Sequence, residues 1–543
     1  MKKKILVAVA WPYVNGPMHI GHVAGAYVAA DIFARYHRLI GNDVLMVSGS
    51  DMHGTPTTVV AEKEGVEPLV IANRYHERMK KTLENLGTSF DLYTTTETKN
   101  HREISQKIFL TLLEKGYIFK DTMMQMYCEY DKRFLPDRFV EGTCPHCGFG
   151  KARGDQCDNC GRTLDPKDLI DPTCKICGRT PVEKETEHFF LDLPAFSDKL
   201  TAYLSTKDYW RANVREFPLS WIKEGLKPRP ITRDMNYGIP VPVKGYENKV
   251  LYVWFEAVIG YLSASIEWAE AHNKEWEPFW RDPVHAEHYY FLGKDNIPFH
   301  TIIWPAILMG YDSSYNLPYE VAGNENLNLE GKKFSKSTGH YIEADHLIDT
   351  YGAEALRYYV SSIMPETKDT DFTWKGFIDA INNELVANLG NLVNRNVTFI
   401  DKNFEGKVPE GTIDQNVIDE IQSTFSLVGE SVEHVRFQQG INQIMKLSQF
   451  GNRYFDSQKP WVSPKESGTT LYNMVQLISA LSILLEPYLP KTAEKMQQML
   501  GITKHGWEYV PVKAGTKIQN PGLLFSKVDE EQIEKEKELM KPS

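Results

Sequence analysis

The sequence predicts an α/β protein in which a parallel sheet is interrupted by a cysteine-rich insertion and followed by an α-helical bundle. Three observations predict it: a strand-helix-strand reading of the first fifty residues, three C-x-x-C pairs between Cys144 and Cys177, and helical apolar periodicity from about Ile381 onward. At 543 residues the chain exceeds one hydrophobic core, and roughly 150 residues per domain gives about three or four domains.

Taken in order, "KILVAVA" (Lys4 to Ala10) is a short unbroken apolar run, as a strand buried on both faces requires. It imitates an export signal, but it is short and runs into Trp11-Pro12-Tyr13 instead of a small-residue cleavage site. Val28, Ile32, Tyr36 and Leu39 then recur at helical spacing with Gly41 as the stop, and "DVLMVSG" (Asp43 to Gly49) reads as a second buried strand. Such a βαβ unit opens a parallel sheet. "KVLYVWFEAVIGYL" (Lys249 to Leu262) and "HYYFLG" (His288 to Gly293) read as a second α/β portion, which makes the Cys-, Gly-, Asp- and Pro-rich stretch Cys128 to Pro181 an insertion. "NNELVANLGNLVNRNVTFI", "NVIDEIQSTFSLVGESVEHV" and "YNMVQLISALSILLEPYLP" carry the helical period. Asn473, Gln476, two serines and Glu486 break the last of these, so it suits a buried bundle helix rather than a membrane span, and a cytoplasmic location is expected. The tail "VDEEQIEKEKELMKPS" reads as an exposed helix or a frayed end.

Lys plus Arg number 61 against 72 Asp plus Glu, a net charge of -11. That balance argues against sequence-independent coating of nucleic acid or anionic membrane, while leaving room for a local basic groove. Six of the seven cysteines form C-x-x-C pairs in a chain without an export signal, a pattern that favours metal over disulfides. Cys144-Pro-His-Cys147 and Cys157-Asp-Asn-Cys160, nine residues apart, predict one tetrahedral zinc site with four thiolate ligands. Cys174 and Cys177 form a third knuckle, and Cys128-Glu-Tyr-Asp131 lies upstream.

In "NGPMHIGH" (Asn15 to His22) two imidazoles sit three residues apart where a parallel strand hands over to a helix, the place where open α/β sheets bind ligands. Gly21 leaves room for a base or ribose. An isolated H-x-x-H is most often a cap or polar surface. Far downstream, however, "LEGKKFSKSTGHYI" sets Lys333 and Lys336 among small residues, a loop suited to a triphosphate. "KKFSKS" alone would be a solvated basic loop; the two motifs together are a phosphate site.

These motifs resemble the HIGH and KMSKS signatures of the class I aminoacyl-tRNA synthetases, the second reading KFSKS here, with Phe334 at a packing position. "WPYVNGPMHIGH", "SGSDMHGTP", "YVWFEAVIGY" and "GKDNIPFHTIIWPAIL" look like the methionyl-tRNA synthetase family, and the resemblance covers nearly the whole chain. It implies a Rossmann-type catalytic domain in two halves (1–115 and 246–325), a connective insertion with zinc knuckles (116–245, knuckles about 128–181), a KFSKS and stem-contact region (326–380) and a helical anticodon-binding domain with the charged tail (381–543).

The implied activity is methionine-tRNA ligation: ATP activates methionine, which is then transferred to tRNA(Met), initiator and elongator. His19, His22, Lys333 and Lys336 are the expected catalytic residues, and Gly21, Gly293, Asp295 and Ser335 join them around ATP. Asp51 is expected to meet the substrate ammonium, with Tyr13, Trp254, Ala257, Tyr261 and His300 around the thioether. Some family members bind a second zinc, for which Cys128, Asp131, Cys174 and Cys177 are the candidates, Asp131 standing where Cys or His is usual. Asn391, Arg395 and Trp461 match the segments that read the CAU anticodon. Mg2+ is expected on the triphosphate. No β-barrel appendage of the kind that builds family dimers is evident, so a monomer is expected, with a separately encoded tRNA-binding partner protein as the open alternative. A Leu, Ile or Val enzyme of the class would carry a longer editing insertion, a small nucleotidyltransferase would lack the helical half, and a non-enzymatic zinc and RNA-binding protein would have no reason to keep both phosphate motifs.

Overall fold

The first strand is the centre of the molecule. In the computed structural model, which describes residues 2–136, 139–154, 157, 159–160, 162, 164, 166–334 and 339–539, β1 (Lys4–Val9), β2 (Asp43–Ser50), β3 (Leu92–Thr95), β4 (Ala286–Gly293) and β5 (Glu320–Asn324) form a parallel sheet in the order β5-β4-β1-β2-β3. The chain winds one way from β1 to β3 and the other way from β4 to β5, so the crevice past β1 and β4 is the topological switch point. Ile5, Val7 and Val9 face one core and Leu6 and Ala8 the other, all fully buried, each larger side chain contributing about 1.5–3 kcal/mol. The expected helix is α1 (Val28–Leu39), with Gly41 just past its end at φ +86°. It is entered through a short turn, Ile20–His22, and a π-helical turn, Val23–Tyr27.

Between β3 and β4 the chain leaves the sheet in a long antiparallel ribbon, Ile118–Cys128 against Val182–Leu191. Beyond the end of this ribbon a small sheet of Val140–Thr143, Ala152–Arg153 and Ile170–Cys174 carries the knuckles. Its core is little more than Met126, Leu135, Phe139, Val140, Ala152, Leu169 and the cysteines themselves.

After β5 a hairpin of Leu327–Leu329 and Lys332–Lys333 turns through Glu330 and Gly331, both at positive φ. Then follow α2 (Ala353–Ser362) and the bundle: α3 (Asn391–Asn403), α4 (Gln415–Glu433), α5 (Phe437–Gln458), α6 (Gly468–Leu484) and α7 (Pro490–Leu500). One hydrophobic core runs from the sheet through α1 and α2 into the bundle. The polar residues that interrupt α6 tie down neighbouring chain: Asn473 Nδ2 donates to Thr412 O at 3.0 Å, Gln476 exchanges two hydrogen bonds with the backbone of Val512, and Ser479 Oγ donates to Val510 O at 2.6 Å. Among the described residues no helix is long and apolar enough to cross a membrane.

The charged tail is docked rather than frayed. Its helix, Gln532–Leu539, buries Glu536, which accepts from Tyr351 Oη at 2.6 Å and pairs with His346 Nε2 at 2.7 Å. A run of alternating charge reads as solvated; one glutamate facing two distant donors leaves no local trace.

Sheet and bundle meet at a fully buried ion pair. Asp31 on α1 and Arg357 on α2 lie 2.8 Å apart with no exposed surface. Arg35 Nε and the Ser89 N–H and Oγ complete the carboxylate's shell, while Arg357 donates to Tyr488 O at 2.7 Å and Pro487 O at 2.9 Å. Burial works against the charge on Asp31, yet the two guanidinium groups outweigh it and hold the pKa below the usual value. Removing one partner strands the other, so Arg357→Leu should cost about 3–5 kcal/mol and move the first urea-unfolding transition to lower urea. An unchanged transition would contradict this role.

Candidate active site at the switch point

The loop after β1 is held on both sides by main chain. Asp51 N–H donates to Pro12 O at 2.9 Å and Val14 N–H to Asp51 O at 3.4 Å, which sets Tyr13 beside the end of β2. Gly54 permits this approach, since a Cβ there would lie 2.3 Å from the Tyr13 ring. On the other side Ile20 N–H donates to Ile342 O at 3.2 Å and Ala344 N–H to Met18 O at 2.9 Å. The first motif is thereby fastened to the segment just past the lysine loop.

His19 caps the turn, and its N–H donates to His22 Nδ1 at 3.2 Å, leaving Nε2 of His22 as the protonated nitrogen. The two rings stack at 3.8 Å, so the three-residue spacing does put them on one face. Phe334 lies parallel over His19 with centroids 5.2 Å apart and planes within 7°. The phenylalanine of KFSKS thus bridges the two motifs. Gly21 admits the His19 ring, which a Cβ would meet at 2.9 Å. Lys333 is exposed at the end of the hairpin, one residue from this stack; Ser335 and Lys336 lie outside the described residues. Gly293 ends β4 with open space around its Cα, and Asp295 is exposed in the turn that follows.

Beside the histidines is an aromatic pocket. Trp254 meets Tyr13 edge-on at 6.0 Å and stacks on Phe299 at 4.0 Å. Ala257 follows Trp254 by one helical turn and is half-buried. Deeper, Tyr261 Oη donates to His300 Nε2 at 2.7 Å while His300 Nδ1 donates to Asn296 O at 2.8 Å. Burial holds the His300 pKa down at about 4, so the ring is neutral.

Asp51, 4% exposed, lies beside Tyr13 through the main-chain pairing of the two segments. Burial first, then the charge of Glu256, pushes its carboxyl pKa well above the usual range. Behind it lies a network that sequence reading missed. His53 donates through Nδ1 to Glu256 Oε1 at 2.6 Å and through Nε2 to Glu97 Oε1 at 3.0 Å; His101 Nε2 pairs with the other oxygen of Glu256 at 2.8 Å. Burial alone would keep His53 neutral, but the two carboxylates outweigh it and raise the ring to about 10. Phe299 was missed as well, although it belongs to "IPFHTI" beside the expected His300.

In the insertion, Cys144, Cys147, Cys157 and Cys160 offer sulfurs all within 4.8 Å of one another, with Sγ–Sγ distances of 3.9 Å for Cys144–Cys160 and 3.6 Å for Cys147–Cys157. Four thiolates about 2.3 Å from a tetrahedral ion stand about 3.8 Å apart, so the donors fit one, and none is close enough for a disulfide. Cys128, Asp131, Cys174 and Cys177 converge equally, with Asp131 Oδ2 at 3.1 Å from Cys128 Sγ and 3.2 Å from Cys174 Sγ.

In the bundle, Asn391 and Arg395 lie one turn apart on α3. Arg395 is fixed by Asp456 Oδ1 and Asn452 O, both at 2.9 Å, and lies 4.2 Å over the Phe455 ring. Phe455 packs at 6.0 Å against Trp461, which is 51% exposed. Arg395 and Trp461 therefore meet across the buried Phe455, with the exposed Asn391 one turn before Arg395 on α3.

A sheet with paired His and Lys motifs at its switch point is the layout of a class I tRNA synthetase. The family model described as "tRNA synthetases class I (M)" matches residues 5–397, and that of the "anticodon binding domain of methionyl tRNA ligase" matches 406–541. The chain is 51% identical to the methionine–tRNA ligase of Thermomicrobium roseum over 99% of both chains, and 48% identical to that of Dehalococcoides mccartyi over 99% of both. The methionyl-tRNA synthetase of Mycobacterium tuberculosis, solved in complex with methionyl-adenylate, superposes with a TM-score of 0.80 at 26% identity, covering 97% of this chain and 100% of that one. The chain belongs to the methionyl-tRNA synthetase family.

The convergence of the Asp131 cluster makes a countable prediction. Metal analysis of the purified full chain should return two ions, and Asp131→Ala should remove one while leaving the four-cysteine site loaded; one ion in the unaltered chain would contradict it.

Proposed function

We propose that the chain activates L-methionine with ATP to methionyl-adenylate and pyrophosphate, then esterifies the 3'-terminal adenosine of tRNA(Met), initiator and elongator. The observation that carries this reading is the stack of Phe334, His19 and His22 at the switch point, next to a buried aspartate and an aromatic pocket. The methionine carboxylate attacks the α-phosphate in line. His19 and the Nε2–H of His22 hold the phosphates where charge develops, and Lys333 and Lys336 clamp the β- and γ-phosphates as their loop closes. No side chain has to transfer a proton. Gly293 gives the nucleotide room, Gly21 lets the His19 ring fold over the turn that faces it, Asp295 and Ser335 are further contacts, and Mg2+ rides on the triphosphate. Asp51 takes the ammonium. Tyr13, Trp254, Ala257, Tyr261 and His300, joined by Phe299, enclose the thioether, whose sulfur suits aromatic edges at roughly 0.3–1.5 kcal/mol per contact.

Residues 1–115 and 246–325 are the two catalytic halves, 116–245 the insertion, 326–380 the stem-contact region and 381–543 the anticodon domain. Both cysteine clusters hold structural zinc, which closes a fold with too small a core of its own and steers the acceptor end of the RNA. Asn391, Arg395 and Trp461 read the CAU anticodon, Trp461 offering a free face for an unstacked base.

His19→Ala should lower the rate of methionine-dependent ATP–pyrophosphate exchange by roughly 10²–10³ with methionine affinity and metal content little altered. Trp461→Ala should raise the KM for tRNA and leave the exchange nearly intact; an equal loss in both would refute the division of labour.

A further inference from the structure

Three carboxylates converge behind the expected ammonium site: Asp51, Glu256 and Glu97, of which Asp51 and Glu256 are buried. His53 is placed among all three. Its backbone N–H donates to Asp51 Oδ1 at 3.3 Å, and its ring is gripped by Glu256 at 2.6 Å and Glu97 at 3.0 Å. The imidazole is 2% exposed, and Tyr237 covers it edge-on at 5.5 Å. The remaining charged neighbours brace this arrangement. His101 holds the second oxygen of Glu256 at 2.8 Å, and Arg102 pairs with Glu97 at 3.5 Å. His101 in turn is anchored on Ser263 Oγ at 2.8 Å.

We propose that His53, clamped between Glu97 and Glu256, is a positioning residue for the substrate's α-ammonium: its ring compensates the negative charge gathered behind Asp51, whose carboxylate the main-chain N–H of the same residue holds in place. The proposal rests on the reading of Asp51 as the ammonium ligand. Burying carboxylates together is costly unless a cation shares their site. The ring of His53 supplies one such charge permanently, and the incoming ammonium supplies the next. Without His53 the Asp51 carboxyl would be pressed further toward its neutral form by burial and by Glu256, and a neutral acid is a weaker partner for the ammonium. None of these residues belongs to the two phosphate motifs, so the effect is expected on the amino acid alone.

The test is methionine-dependent ATP–pyrophosphate exchange by the full chain carrying Asp51→Asn, His53→Gln, or both. His53→Gln should raise the methionine KM about tenfold with the ATP KM unchanged, and should move the acidic limb of kcat/KM for methionine to higher pH by about one unit, a shift that mere loosening of the fold would not produce. In the double variant the methionine KM should match that of Asp51→Asn alone, because the role of His53 passes through Asp51. If Asp51→Asn leaves the methionine KM unchanged, the ammonium reading fails and the proposal with it. If Asp51→Asn raises that KM while His53→Gln leaves both KM and acidic limb as in the unaltered chain, the proposal alone is overturned. Should His53→Gln not fold, Glu97→Ala removes the partly exposed arm of the clamp and keeps the buried pair. It should move the acidic limb of kcat/KM for methionine to lower pH at constant ATP KM, because one negative charge leaves while the charge on His53 stays, and an unmoved limb would overturn the proposal equally.

Discussion

The buried pair of Asp31 and Arg357 is the interaction on which the arrangement of this molecule depends. Asp31 sits on the helix that follows the first phosphate motif, Arg357 on a helix that follows the second, and the same guanidinium reaches two carbonyls of the bundle. One charge pair therefore ties both halves of the nucleotide site to the RNA-binding end. Apolar packing is continuous across the same junction, but packing is tolerant of small slides. A buried ion pair held by several directional hydrogen bonds is not, and this is how it specifies one docking.

The active site uses the same economy. Main-chain bonds hold the loop after β1 between Asp51 on one side and Ile342 and Ala344 on the other, so the His19–His22 turn is tethered to the segment that follows the lysine hairpin. Charge is then arranged around what the substrates bring. On the proposed reading the histidines and lysines meet the phosphates, while the buried carboxylate of Asp51 meets the ammonium. The neutral His300, oriented by Asn296 and Tyr261, would keep the floor of the proposed thioether pocket free of charge.

Local signals were read correctly and non-local ones were not. β1, α1 and β2 were legible because apolar period and a glycine stop are written into consecutive residues. The two phosphate motifs and the knuckle cysteines were legible because their chemistry is packed into a few positions. Their mutual contact was not: Phe334 was expected to pack, but that it packs on His19 depends on a pairing of segments far apart in sequence. The His53 network was invisible for the same reason, since His53 and Glu256 are 203 residues apart and each looks like ordinary polar sequence. The tail is the mostly exposed helix that its charges suggest, but its docking was not legible, because the single buried Glu536 is indistinguishable from its solvated neighbours. The extra turn that brings α1 into line from His22 has no sequence mark either, a π-helical step being set by packing.

The central claim is that this switch-point site forms an adenylate of methionine in particular. The most direct measurement is amino-acid-dependent ATP–pyrophosphate exchange by the purified full chain against each of the twenty amino acids in turn. The account predicts exchange with methionine and none of comparable efficiency with leucine, isoleucine or valine, whose branched side chains lack the sulfur and the flexibility that the aromatic pocket accommodates. Absence of exchange with methionine, or equal exchange with a branched amino acid, would contradict it.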